Sequence, residues 1–107
     1  MYETIRQDLL ANASTLAEME NPNGLSHHRL LAWGLIIELK RLNGKTARAW
    51  ELGEALQQQG IRRYHDEYIR RVLRTLAQAG LPIGSARSPR VGGYWWEQTH
   101  QHSGGGG

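Results

Sequence analysis

The chain has 107 residues, a formal net charge of +3, 39% hydrophobic and 21% charged residues, and no cysteine. That is room for one domain with one modest core, in an ordinary globular composition. The missing thiols exclude a disulfide framework, a thiolate zinc site and a cysteine nucleophile.

No apolar run approaches the ~20 residues that cross a bilayer. The start, MYETIRQDLL, lacks the basic flank and apolar stretch of a secretory signal. The expectation is a cytoplasmic protein with no membrane contact. From Tyr2 to about Glu20, Ile5, Leu9, Ala13, Leu16 and Met19 recur at steps of three and four, one face of an amphipathic helix. Asn21-Pro22-Asn23-Gly24 breaks it. This first helix either dimerises or folds back on its own domain.

Ser26 is placed to cap a second helix running to about Leu42. Leu30, Leu31, Trp33, Leu35, Ile36, Ile37, Leu39 and Leu42 cover more than one narrow stripe. Such a helix is either central to the core or meets a second chain. Asn43-Gly44 tolerates the positive φ of a helix end. Thr46 is placed to cap a third helix, roughly Ala47 to Gln58, whose stripe is Ala49, Leu52, Ala55 and Leu56. Trp33 and Trp50 are expected in the core or an interface. Gly60 allows a sharp turn, and Ile61 plugs the gap that follows.

The fourth helix should begin near Asp66 as N-cap and end at Ala79-Gly80. Ile69, Val72, Leu73 and Leu76 cluster on one side at a period of about 3.6. Glu67, Arg71, Arg74 and Gln78 lie almost opposite, flanked by Arg70 and Thr75. After Gly80 the pattern turns extended. Leu81-Pro82-Ile83 and Tyr94-Trp95-Trp96 read as two strands of a β-hairpin, with GSARSPRVGG as the loop between them. At least one of those three aromatics should cover the helices.

Charge is unevenly spread. Residues 1–28 are acidic, with Arg6 as the lone arginine. Residues 61–90 carry Arg62, Arg63, Arg70, Arg71, Arg74, Arg87 and Arg90 against Asp66 and Glu67. Arginine forks match phosphates and guanine edges as a lysine does not.

The run IRRVLRTLAQAGLPIGS…GGYWW resembles the recognition-helix-to-wing segment of small winged helix-turn-helix proteins of bacteria and phages. Its pieces here are Val72, Leu73, Leu76, Gly80, Pro82, Ile83, Gly92, Gly93, Tyr94 and Trp95, and the likeness covers about Ser26 to Trp96. It implies a mainly α fold with a small β-hairpin and an extra N-terminal helix. It divides the chain into an N-terminal helix (1–25), a winged domain (26–98) and a tail or linker (99–107). It further implies double-stranded DNA as partner, with helix 66–79 in the major groove and wing 81–97 on phosphate or minor groove.

On that reading Arg71 and Arg74 contact bases or phosphates. Arg70 stands beside them, and Glu67 and Gln78 reach base edges. Tyr64 and His65 lie at the helix start, Arg62 and Arg63 touch backbone, and Arg87 and Arg90 grip from the wing. The role is a transcriptional regulator of bacterial or phage type, monomeric or a homodimer. Two alternatives remain: a winged helix that binds a protein partner as adaptor or inhibitor, and the DNA-binding part of a replication or recombination protein.

No catalytic constellation is visible and no cofactor is expected. His27 and His28 diverge by about 100° on a helix, and His100 and His102 have no third ligand at sensible spacing.

Overall fold

A computed structural model describes residues 1–86 and 92–97. Its elements are α1 (Tyr2–Glu18), α2 (His27–Leu42), α3 (Ala49–Gln58), α4 (Asp66–Gln78), β1 (Ile83–Ala86) and β2 (Gly93–Trp96). The protein is mainly helical and closes on a two-stranded antiparallel hairpin, in the register Ile83↔Trp96, Gly84↔Trp95, Ser85↔Tyr94 and Ala86↔Gly93. Among the described residues, no helix is long and apolar enough to cross a membrane.

The apolar stripes converge on one core. Leu9, Ala13 and Leu16 of α1 are buried, and α1 packs against α2 and α4. It therefore folds back on its own chain. Helix α2 is central: Leu31, Ala32, Leu35, Ile36 and Leu39 are buried, and it meets α1, α3, α4 and β2. Burying each such leucine or isoleucine contributes about 1.5–3 kcal/mol. Leu30, Trp33 and Leu42 pack against the core as well, while Ile37 stands apart, half-buried. Gly34 permits the close approach of α2 to the α3–α4 turn. A Cβ there would stand 2.7 Å from Ile61 Cδ1 and 3.1 Å from Leu56 Cδ2. Ile61 is buried and fills the gap after Gly60.

Several local expectations need correction. Helix α1 stops at Glu18, where Met19 turns extended. Ser26 occupies the N-cap of α2, but its side chain makes no cap hydrogen bond. Thr46 does not cap α3. The helix begins two residues after Ala47, with Arg48 at the N-cap and its N–H donating to Glu51 Oε1 at 2.7 Å. The delay has a cause: Ala47 is held in an isolated antiparallel bridge with Tyr94.

His65, not Asp66, is the N-cap residue of α4. β1 starts at Ile83 and continues through Gly84, Ser85 and Ala86, which sequence reading placed in the loop. Leu81 N–H instead closes α4 by donating to Leu76 O, and Pro82 O accepts from Glu97 N–H. Trp50 is not in the core but 47% exposed. Trp33 is half-buried, with Nε1–H donating to Met19 O at 2.9 Å. Tyr94 and Trp96 pack against the core, and Trp95 lies against Gly84, where a Cβ would strike its ring.

Candidate nucleic-acid interface

Helix α4 has the cleanest division of faces in the molecule. Ile69, Val72, Leu73 and Leu76 are fully buried, while Glu67, Arg70, Arg71, Arg74 and Gln78 are exposed. One expected flank residue fails. Thr75 is only 3% exposed; its Oγ1 donates to Arg71 O at 3.0 Å and lies 2.9 Å from the Tyr2 hydroxyl. The exposed arc therefore ends at Arg71, and beyond it α1 covers the helix.

The arginines divide by what holds them. Arg70 pairs with Glu67 at 3.3 Å, one turn earlier. Arg63 is drawn inward: it donates to Tyr64 O, pairs with Asp66 at 3.0 Å and lies over Gly53 of α3. It ties the α3–α4 turn together. Arg62, Arg71 and Arg74 form no ion pair among the described residues. Arg62 sits over the Tyr64 ring at 4.8 Å, and Arg71 over the Tyr2 ring at 5.2 Å.

Between α4, the start of α3 and the hairpin lies a groove of about 640 Å³. Leu73, Ala77, Ile83 and Tyr94 contribute to its wall and floor, with Arg48, Arg70 and Arg74 beside them. Glu67 is the one carboxylate among its described lining residues. The groove thus joins Arg70 and Arg74, as sequence reading grouped them, to Arg48, which it missed. The available signal was a basic residue just ahead of a helix whose partner helix carries the arginine face. Arg71 points away from this groove, since neighbouring helical residues diverge by about 100°.

On the other flank, Tyr64 and Tyr68 stack at 5.4 Å with 27° between their planes. Tyr68 meets Tyr2 edge-to-face at 5.9 Å. Burial pushes the Tyr68 phenol above its ordinary range, so it stays neutral at physiological pH. His65 is exposed and Gln78 stands exposed at the end of α4. Arg87 and Arg90 lie outside the described residues, as do His100, His102 and the tail from 98 onward.

Among the described residues, two ionic clusters elsewhere join one element to another. Asp8 accepts from Arg29 Nη2 at 2.6 Å and Nε at 2.8 Å, and bonds His28 Nε2 at 2.7 Å. Glu38, 3% exposed, accepts from Arg41 and from Gln59 Nε2 at 3.1 Å. These tie α1 to α2, and α2 to the end of α3. Among the described residues no group of histidines and carboxylates could hold a metal ion.

Comparison with known proteins returns no match: no family model, no curated protein and no solved structure is significantly similar to the chain.

Proposed function

We propose that the chain is a winged helix-turn-helix domain that binds double-stranded DNA, with α4 as recognition helix and the β1–β2 hairpin as wing. The element order supports it: two helices joined across Gly60, then a hairpin docked on them. The Ala47–Tyr94 bridge supports it further, because it anchors the hairpin beside the start of α3 and fixes one wall of the groove. The observation that carries the reading is the convergence of Arg48, Arg70 and Arg74, from two helices, on one exposed groove with a single described carboxylate.

Phosphate neutralisation supplies most sequence-independent affinity for duplex DNA. The exposed polar front of α4, with Glu67 and Gln78 near its centre, offers donors and acceptors to base edges. The role that fits is a binding protein such as a transcriptional regulator, working in the cytoplasm.

The test is a mobility-shift titration on random-sequence duplex at several salt concentrations. With about five phosphate contacts, raising salt from about 50 to about 200 mM should weaken binding by several hundred-fold, on the order set by counterion release. The double substitution Arg70→Ala/Arg74→Ala should lower the logarithmic salt slope by about 2, without altering the helical circular dichroism. Absent or salt-insensitive binding overturns the reading in favour of a protein partner.

A further inference from the structure

A helix lying in the major groove has a phosphate backbone on each side of it, because those two backbones are the groove's walls. The hairpin side of α4 is served by Arg48, Arg70 and Arg74. The opposite side is built differently and draws on α1, which lies outside the helix-turn-helix.

There, three tyrosines form a continuous row. Tyr64 stacks on Tyr68 at 5.4 Å, and Tyr68 meets Tyr2 of α1 edge-to-face at 5.9 Å. An arginine closes each end: Arg62 over Tyr64 at 4.8 Å, and Arg71 over Tyr2 at 5.2 Å. Both arginines are exposed, and neither forms an ion pair with a described carboxylate. The nearby acids in sequence are engaged elsewhere, Asp66 with Arg63 and Glu67 with Arg70. A cation over an aromatic ring is attracted through its charge and uses no N–H donor in doing so. Each guanidinium is thereby ordered while its N–H edge stays open to a phosphate, which it can grip bidentately. The Tyr2 ring on which Arg71 rests stands edge-to-face against Tyr68, and its hydroxyl bonds buried Thr75.

We propose that this arginine-capped tyrosine row is a second phosphate-contact strip, in which Arg62 and Arg71 hold the duplex backbone on the wall of the major groove away from the hairpin, and Tyr2 and Tyr64 are the positioning residues. The inference rests on the duplex-binding reading and extends it. It makes α1 part of the nucleic-acid surface, and it gives Arg71 a phosphate rather than a base.

A double-mutant cycle on the full chain tests it, with duplex affinity and salt slope as readouts. Arg71→Ala should weaken binding about tenfold and lower the salt slope by about 1. Tyr2→Leu should weaken it about threefold with the slope unchanged, since the arginine remains but is no longer ordered. Tyr2→Phe, which keeps the ring, should bind within about twofold of the unaltered chain. In the Tyr2→Leu background, Arg71→Ala should cost less than it does alone, the mark of two residues acting through one contact. If Tyr2→Leu does not fold, the pair Tyr64→Leu and Arg62→Ala completes the same cycle at the other end.

Additive effects overturn the positioning role. Unchanged binding in Arg62→Ala and Arg71→Ala, with binding weakened by Arg70→Ala/Arg74→Ala, overturns the strip and leaves the proposed function standing. Failure of the unaltered chain to bind duplex overturns both.

Discussion

Ala47 and Tyr94 exchange both of their backbone hydrogen bonds, at 2.8 Å in each direction. Through that one pair the hairpin is fixed to the chain just ahead of α3. The same pair sets the width of the groove that Arg48, Arg70 and Arg74 share.

The bridge makes Gly93 the most exacting position of the hairpin. Its φ is +122°, and a Cβ there would lie 2.6 Å from Ala47 O and 2.8 Å from Ala47 C. Both the backbone conformation and the neighbouring carbonyl oppose a side chain. Gly93→Ala should cost about 2 kcal/mol or more in urea-induced unfolding, and should weaken duplex binding even where the domain remains folded. An unchanged denaturation midpoint would show the bridge to be dispensable.

Glu67 is the one acidic group among the described residues lining the groove, and it pairs with Arg70 at an exposed site. Exposed pairs of this kind contribute little to stability. Glu67→Gln should therefore leave the melting temperature nearly unchanged. It should tighten binding to random duplex by about twofold to fivefold at low salt, because Arg70 is released toward phosphate. Weaker binding to random duplex would indicate that the carboxylate itself is needed for contact.

Acid should loosen the α1–α2 junction. Arg29, joined by His28, holds the Asp8 carboxyl well below its ordinary range. Arg41, helped by Gln59, lowers Glu38 against the opposing effect of its burial. Both groups have folded-state values below their unfolded ones. Their contribution is therefore complete above the ordinary carboxylate range, and it is lost as pH falls through the lowered values. Unfolding free energy should decline below about pH 5. Asp8→Asn should cost about 1–2 kcal/mol at neutral pH, on the scale of charge-assisted hydrogen bonds at a partly exposed site, and should flatten that decline. Equal pH slopes for the two proteins would assign the acid sensitivity elsewhere.

Leu9 and Trp50 separate the core from its surroundings. Leu9 is fully buried although it lies in α1, the first helix of the chain, whereas Trp50 is 47% exposed. Leu9→Ala should cost about 2–5 kcal/mol, and Trp50→Ala well under 1 kcal/mol, by equilibrium denaturation. A mild effect at Leu9 would mean that α1 is an appendage.

Side-chain periodicity was enough to find the four helices, the arginine front of α4 and the presence of a hairpin, because an amphipathic face is a local property of a few turns. It could not say what covers each face. By spacing alone the stripes of α1 and α2 fit a dimer interface and a monomer core equally well; what the folded chain adds is the packing of α1 on α2 and α4. The spacing puts the start of α3 at Ala47, but Tyr94, far along the chain, holds Ala47 in a bridge and the helix begins at Ala49. Thr75 and Arg71 are neighbours on the polar side of the helical wheel, yet Thr75 is buried beside the Tyr2 hydroxyl and Arg71 rests exposed over the Tyr2 ring.

Local pattern thus carried the elements and the sign of the charged surface, since neighbours a turn apart decide both. The partners of Arg71, Thr75 and Ala47 were settled only when distant segments came together. Stacking, bridging and burial depend on distances that spacing along the chain does not encode.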